Sequence, residues 1–249
     1  MNETIRSNAG TNSAIELSSF SKTGVAVIFG SGGGIGNALM DVLKSNQSFS
    51  HLMGFNRRIT PSIDLMNESS LERAAKSAAE KGELRLVIDA TGFLHDENQA
   101  PEKSWRQLNA DKLARSFALN AIGPALIMKH ILPLLPRSGK AVFATLSARV
   151  GSIGDNRLGG WYSYRASKAA LNQLVRTSAV ELARQSPEAI CVALHPGTVA
   201  TSLSAPFAAT GLTVHEPSEA ARNLLTVIDR LTPEATGGFF DWRGAPVPW

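Results

Sequence analysis

Two side chains near the middle of the chain could carry out acid–base chemistry together. Tyr164 and Lys168 stand four positions apart within residues 161–172, a stretch without glycine or proline. Residues i and i+4 share a helix face, so the spacing predicts that the phenol and the ammonium lie side by side. An adjacent cation lowers the tyrosine pKa from about 10, and such a tyrosine can protonate an oxygen during carbonyl reduction. An exposed Tyr–Lys packing pair would have the same spacing.

A glycine-rich turn lies near the start of the chain. It follows residues 25–29, an apolar run with three β-branched members that is typical of a buried parallel strand. The turn consists of Gly30, Ser31, Gly32, Gly33, Gly34, Ile35 and Gly36, and residues 37–44 then have a helical pattern. A strand, a glycine-rich turn and a helix in this order favour dinucleotide binding, because N–H groups at the helix start point at the pyrophosphate. Without these flanks the turn would indicate only a flexible loop.

Together the two motifs resemble the short-chain dehydrogenase/reductase family over residues 23–249. The resemblance implies that Asn120 is the family's catalytic helix asparagine, which orders a water leading protons to Lys168. It implies that Ser147 holds the substrate oxygen and that Tyr164 is the proton donor. Lys168 would lower the pKa of Tyr164 and bind the nicotinamide ribose. An Asn bonded to the backbone inside a helix is the alternative for Asn120.

Within the family, the chain is most similar to the branch of sniffer-type carbonyl reductases and the C-factor cell-signalling protein. Residues 151–153, 159–162 and 240–249 carry this similarity. The chain departs from the family at residues 89–92, where Asp-Ala-Thr-Gly replaces the usual Asn-Asn-Ala-Gly. A second departure is the 17-position spacing from Ser147 to Tyr164, which is longer than usual.

The segment after the second predicted strand favours NADP(H) over NAD as the cofactor. It has no Asp or Glu to bind the ribose 2′-hydroxyl of NAD, whereas Arg57 could pair with a 2′-phosphate. A solvated surface arginine is the alternative, and Asp64 could be either an adenine contact or a turn residue. Beyond the turn and the catalytic pair, the resemblance implies cofactor contacts from Asn56, Arg57, Asp64, Leu65, Ala90, Thr91, Gly92, Pro196, Gly197, Thr198, Val199 and Thr201.

The expected substrate wall is apolar. It comprises Phe93, Leu94 and His95, then Trp161, and the segment 202–214, which includes Leu203, Phe207, Leu212 and Val214. Such a wall suits a carbonyl group on an apolar or aromatic body, but it does not name the substrate.

The composition limits the other classes of function. The chain has 249 residues, 43% of them hydrophobic, which is enough for one sizeable core. Its net charge is +4, yet no Lys/Arg cluster exceeds Arg57–Arg58, so neither nucleic acid nor membrane is an expected partner. One cysteine, Cys191, excludes an internal disulfide, and no His, Cys, Asp and Glu residues have metal-ligand spacing, so no metal is expected.

The cellular location and the oligomeric state are also expected from sequence patterns. Residues 1–22 are polar and lack the apolar segment of a secretory signal, so we expect a loosely ordered tail on a cytoplasmic protein. No run approaches 18 apolar residues, the length that predicts a transmembrane helix. The predicted helices 110–135 and 161–185 are apolar on more than one face, which favours a homodimer unless a loop covers the second face.

Apolar runs alternate with helical periodicity along the chain and predict an α/β fold. The predicted strands are 25–29, 51–56, 61–64, 84–90, 140–146, 190–195 and 237–241. The predicted helices are 35–45, 68–81, 110–135, 161–185 and 217–231. About seven strands flanked by helices indicate a single-domain, doubly wound parallel sheet of the Rossmann type.

The main hypothesis is an NADP(H)-dependent oxidoreductase that transfers hydride between nicotinamide and a carbonyl or alcohol substrate. The first alternative is a nucleotide-binding signalling or regulatory protein of the C-factor type with weak catalysis. The second is an NAD-dependent alcohol dehydrogenase, against which Arg57 argues.

Overall fold

The computed structural model describes residues 15–207 and 213–249. Its strands are β1 (Val25–Phe29), β2 (His51–Phe55), β3 (Leu84–Asp89), β4 (Ala141–Leu146), β5 (Ala189–His195), β6 (Thr198–Val199), β7 (Val214–His215) and β8 (Phe239–Asp241). Its α-helices are α1 (Gly34–Asn46), α2 (Glu68–Ala79), α3 (Ala110–Phe117), α4 (Gly123–Ile131), α5 (Tyr162–Gln185) and α6 (Pro217–Arg230). The predicted α/β class is confirmed.

Six strands form one parallel sheet in the order β2-β1-β3-β4-β5-β8. The chain runs from β1 outward to β2 and then crosses to β3 on the other side of β1. This reversal is the switch point at which open α/β sheets bind ligands, outside the carboxyl ends of their strands. The glycine turn after β1 and residues 90–92 after β3 both lie there.

The core has two layers, one on each face of the sheet. One layer packs α2, α4 and α5 against side chains such as Phe29 and Phe143, both fully buried. The other packs α1 and α6 against Ile28 and Ile88. Alternate residues of the buried strands thus face opposite layers, which is why these strands are continuous apolar runs.

The predicted strand 61–64 is wrong, so the main sheet has six strands among the described residues. Pro61 has no N–H to donate to a strand ladder. The N–H of Ile63 donates to the carbonyl of Asn56, and that of Asp64 donates to Ser70 Oγ. The sequence analysis also missed β6 and β7, whose two-residue length gives no periodic signal.

The predicted helix 110–135 is continuous from Ala110 to Leu134, but its hydrogen-bonding pattern is not α-helical throughout. A π-helical turn, Ala118–Ile122, separates α3 from α4, and a 3₁₀ turn ends the helix. By length and composition this helix could cross a membrane, which the sequence analysis did not expect. Ile127, Met128 and Ile131 are buried in the core, and a core helix needs the same apolar content.

Residues 15–22 were assigned to a loosely ordered tail, but they pack on the domain. Leu17 and Phe20 are buried against the α1 and α6 layer, and the Ser19 hydroxyl donates to Asp229 Oδ1 at 2.5 Å. A few apolar residues within a polar segment were enough to reach the core. Residues 1–14 lie outside the described residues.

Candidate active site

The glycine turn forms a cradle that has no room for a side chain at Gly30 or Gly36. Gly30 has a φ of +77°, and a Cβ there would lie 2.9 Å from the Ala90 carbonyl carbon. A Cβ on Gly36 would lie 2.2 Å from the Gly30 oxygen, which allows α1 to start directly against the turn. No side chain caps α1 in the described part of the chain, so its first N–H groups are free for an anion. This cradle fits a dinucleotide pyrophosphate.

Two distant segments close around the turn. Asn56 follows β2, and its Nδ2 donates to Ser31 Oγ at 2.9 Å. A Cβ on Gly34 would lie 2.6 Å from Thr201 Cγ2, so the segment after β5 reaches the first turn of α1. Gly197 in that segment has a φ of +81° and packs against His215 and Trp242. The structure therefore brings together the predicted residues 30–36, Asn56 and 196–201.

The predicted contacts on the adenine side lie on the surface after β2. Arg57 is exposed and lies at the carboxyl end of β2, next to the glycine turn. Asp64 is also exposed, and its Oδ1 accepts the Met66 N–H at 2.9 Å, which is the turn role that the sequence left open. Leu65 packs against Gly123, where a Cβ would lie 2.8 Å from the Leu65 Cβ.

The predicted catalytic pair lies on α5, and Lys168 is buried deep beneath the site. Its side chain is 2% exposed, and its Nζ donates to the Leu146 carbonyl at 2.8 Å. Nζ lies 5.9 Å from the centroid of the Tyr164 ring. Burial lowers the pKa of Lys168 to about 8, an effect that the charge of Asp89 opposes. The pair is therefore a buried arrangement and not an exposed packing contact.

The expectation that Lys168 lowers the pKa of Tyr164 is wrong for the protein without a bound cofactor. Enclosure of the phenol raises the pKa of Tyr164 well above its usual range. Loss of solvation disfavours the phenolate, and at the observed separation Lys168 does not compensate for it. The Tyr164 phenol is therefore neutral at physiological pH.

Asn120 is fixed in the π-helical turn between α3 and α4, and it is fully buried. Its Oδ1 accepts the Phe93 N–H at 2.7 Å, and its Nδ2 donates to the Phe93 carbonyl at 2.8 Å. The same Nδ2 donates to Ser167 Oγ at 3.1 Å. Asn120 thus joins the segment after β3 to the helix that carries Lys168. π-turns of this kind are frequent at functional sites.

Ser147 lies in the cavity wall, but its hydroxyl has a protein partner. Its Oγ donates to Asn172 Oδ1 at 2.6 Å, and both residues are buried. Asn172 Nδ2 is buried without a partner among the described atoms. The sequence analysis missed Asn172, although it stands four positions after Lys168 and so shares the α5 face of Tyr164 and Lys168.

A cavity of about 690 Å³ opens beside Tyr164. Of the expected wall residues, Leu94, Trp161, Leu203 and Phe207 line it. Phe93 does not, because its ring lies under the Arg115 guanidinium, 4.4 Å from centroid to Cζ. His95 and Val214 also lie outside the cavity lining, and Leu212 lies outside the described residues.

The start of α5 is held by Glu102, which was not among the predicted site residues. Trp161 has a φ of 53°, uncommon for a non-glycine residue, and its ring packs edge-on against Tyr164 and Phe207. Its N–H donates to the Glu102 carbonyl at 2.5 Å. The buried Glu102 carboxylate accepts the Ser163 N–H at 3.1 Å and the Ser163 hydroxyl. A carboxylate suits this position, because the start of a helix carries partial positive charge.

The fold and the site define a dinucleotide-binding α/β protein with a tyrosine–lysine pair beside an apolar cavity. A family model described as enoyl-(acyl carrier protein) reductase matches residues 39–229. The C-signal protein of Myxococcus xanthus is 42% identical over 138 residues, which are 55% of this chain and 78% of that protein. The chain belongs to the short-chain dehydrogenase/reductase family of oxidoreductases.

Two further proteins are similar over most of the chain. The 1-hydroxy-2-glutathionyl-2-methyl-3-butene dehydrogenase of Rhodococcus sp. (strain AD45) is 33% identical over 192 residues, 77% of this chain and 80% of that enzyme. The structure of an NADPH-bound carbonyl reductase from chicken fatty liver has a TM-score of 0.79. It is 23% identical and covers 91% of this chain and 94% of its own, so this likeness confirms the Rossmann-type fold.

Proposed function

We propose that the protein is an NADP(H)-dependent carbonyl reductase that acts in the cytoplasm on a small molecule with an apolar or aromatic body. The observation that carries this proposal is the position of Tyr164 at an apolar cavity, with Lys168 buried beneath it. The glycine cradle at the switch point fits the cofactor's pyrophosphate. The carbonyl reductase from chicken fatty liver, which has a similar fold, has NADPH bound in its structure, and this supports NADPH as the nucleotide.

The residues that would hold the cofactor supply different kinds of contact. The N–H groups of the turn and of the start of α1 would bind the pyrophosphate, and Arg57 would pair with the 2′-phosphate through its planar guanidinium. The segment 196–201 and Lys168 would hold the nicotinamide end. When bound, NADPH supplies the hydride.

The proton is donated by the chain itself. The raised pKa of Tyr164 keeps the phenol protonated, so it can donate to the oxygen of a carbonyl group that is being reduced. The Lys168 ammonium would stabilise the phenolate that remains. Asn120 would help by ordering a water that leads protons to Lys168.

Ser147 would hold the substrate oxygen only after its hydroxyl turns away from Asn172. Rotation of the Asn172 amide would let the unpartnered Nδ2 donate to Ser147 Oγ, which frees the serine proton for the substrate. The serine would then act as an oxyanion-type donor beside Tyr164.

Fluorescence titration with NADPH and NADH, followed by turnover on a panel of aromatic aldehydes and diketones, tests this function. We expect tighter binding of NADPH and measurable reduction of at least one class of carbonyl compound. Equal affinity for the two nucleotides would contradict the cofactor assignment. Binding of NADPH without turnover on any compound would favour a regulatory protein, the alternative that the C-signal relative supports.

We also propose a homodimer. Many of the apolar side chains on the two long helices are buried in the core, among them Ile127, Leu171 and Val175. Ile122 and Val180 remain 46% exposed, and a two-fold self-contact is the commonest way to cover such a face. Light scattering should give about twice the chain mass of 26.5 kDa, and the mass of a single chain at micromolar concentration would contradict the dimer.

A further inference from the structure

Asp89 is a buried carboxylate at the end of β3 that the proposed chemistry does not use. It is 0% exposed. Its Oδ1 accepts the Thr91 N–H at 3.0 Å and the Thr91 hydroxyl at 2.6 Å, and its Oδ2 accepts the Thr145 hydroxyl at 2.7 Å. All three donors are uncharged, so none of them balances a carboxylate charge.

Lys168 is buried against the same part of β4. Asp89 pairs in register with Thr145, and the carbonyl of the next residue, Leu146, accepts the Lys168 ammonium. A Cβ on Gly92, three residues after Asp89, would lie 3.7 Å from Lys168 Nζ. The segment that Asp89 begins therefore passes close to the lysine head group.

The groups packed around Lys168 include no other carboxylate whose charge reaches the ammonium among the described residues. On its own helix, α5, the Tyr164 ring lies 5.9 Å from Nζ and is a neutral phenol, and the Arg165 guanidinium donates to the Gly160 carbonyl. The π-helical turn contributes the uncharged Asn120. The turn 149–151 packs Gly151 against the lysine stem, and its Arg149 is paired with Asp155.

We propose that Asp89 is a positioning residue for Lys168, the buried counter-charge that keeps this side chain in its ammonium form beneath the active site. A buried ammonium without a counter-charge loses its proton readily, because burial disfavours the charged form.

The ionisation of the two groups is coupled. Burial raises the pKa of the Asp89 carboxyl, and the hydrogen bonds from Thr91 and Thr145 and the charge of Lys168 oppose that effect. In return, Asp89 holds the pKa of Lys168 near 8 against burial, which alone would lower it further. Asp89→Asn keeps the size of the side chain and one acceptor oxygen but removes the charge.

The test is an NMR titration of lysine labelled with ¹³C at Cε, in the full chain without nucleotide. The Lys168 signal is identified by its loss in Lys168→Met. We expect a titration midpoint near pH 8 in the wild type. In Asp89→Asn the midpoint should fall by at least about one unit, the effect of losing a nearby opposite charge. An unchanged midpoint would overturn the proposal.

Two further variants make the result specific. Asp241→Asn removes a buried carboxylate at the same edge of the sheet, one that pairs with Arg243 and not with Lys168. It should leave the Lys168 midpoint unchanged, and an equal shift there would also overturn the proposal. Asp89→Ser also removes the charge and should lower the midpoint in the same direction. If Asp89→Asn does not fold, an unchanged midpoint in Asp89→Ser is the contradicting result.

The consequence for catalysis rests on the proposed function and is measured separately. Activity that needs the ammonium should fall as pH rises through the Lys168 midpoint, and in Asp89→Asn this fall should move to lower pH by the same amount. A shift in both the NMR midpoint and the pH profile supports both proposals. A shift in the NMR midpoint in a protein that reduces no carbonyl compound would leave the role of Asp89 intact and remove the proposed function.

Discussion

The two ends of the site are built by different means. At the nucleotide end, backbone N–H groups form the expected binding site, and the glycines contribute by lacking Cβ atoms that would collide with neighbouring protein atoms. At the catalytic end, buried side chains from several elements bond to one another, as Ser147 does to Asn172 and Asn120 does to Ser167. Nucleotide binding should therefore weaken when atoms are added at the nucleotide end. Turnover should fall when single polar atoms are removed at the catalytic end.

The largest expected effect is at the side-chain end. Tyr164→Phe removes only the phenolic oxygen, so kcat should fall at least about a hundredfold, the low end for a positioned general acid. NADPH affinity should change little, because the phenol contacts the substrate and not the phosphates. Stopped-flow turnover and fluorescence titration measure the two quantities.

A control and a contrast sharpen this result. Tyr162→Phe removes the same atom from the only other tyrosine of the chain, two positions earlier, and should leave turnover nearly unchanged. Lys168→Ala should reduce both turnover and nucleotide affinity, because its ammonium is expected to serve both. Near-normal turnover in Tyr164→Phe would contradict the enzyme assignment.

At the backbone end, one added methyl group should be enough to weaken binding. Gly34→Ala puts a Cβ 2.6 Å from Thr201 Cγ2, so either α1 or the segment after β5 must move. NADPH should bind at least about tenfold more weakly, or about 1.4 kcal/mol, in a fluorescence titration.

The neighbouring glycine provides a matched control. In Gly33→Ala the new Cβ would lie 3.4 Å from the Gly30 oxygen, an ordinary contact, so the loss of affinity should be smaller. Adding Thr201→Ser to Gly34→Ala removes the clashing Cγ2 and should recover part of the affinity. If Gly33→Ala and Gly34→Ala weaken binding equally, the contact with Thr201 is not the cause.

A smaller effect is expected from a change at Arg57, also at the nucleotide end of the site. NADPH should bind at least about tenfold more tightly than NADH, a difference of about 1.4 kcal/mol, and Arg57→Ala should remove most of it. The exposed neighbour Arg58 is the control, because Arg58→Ala removes an equal charge that is not expected to pair with the 2′-phosphate. A preference for NADPH that survives Arg57→Ala would assign the 2′-phosphate to another residue.

The smallest effect is expected from the support of the catalytic helix. Glu102→Gln replaces the charged acceptor of the Ser163 N–H and hydroxyl by a neutral one, which should lower stability by about 1 kcal/mol. Urea denaturation measures this change. Glu97→Gln alters an exposed glutamate of the same loop and should leave the midpoint unchanged. An equal loss in both variants would contradict the role of Glu102 at the helix start.

The parts of the site that were predicted well are local in the sequence. The strand, glycine turn and α1 are contiguous, and Tyr164 and Lys168 are one helical turn apart, so spacing alone places them. Asn172 and Glu102 were missed because their roles depend on contacts between distant segments, as in the 61 positions that separate Glu102 from Ser163. The strand predicted at 61–64 failed because pairing depends on a partner and not on β-propensity alone.

By itself, the sequence determined the fold class, the glycine turn and the tyrosine–lysine pair, because periodicity and short spacing are local properties of the chain. Only the tertiary structure decided the ionisation of that pair. The pKa of Tyr164 is raised and that of Lys168 is lowered because both are taken out of water. The carboxylate of Asp89 at the end of β3 comes near the lysine on α5 because β3 pairs with β4, whose Leu146 carbonyl accepts the lysine ammonium. Burial and charge proximity are set by packing, which no local pattern encodes.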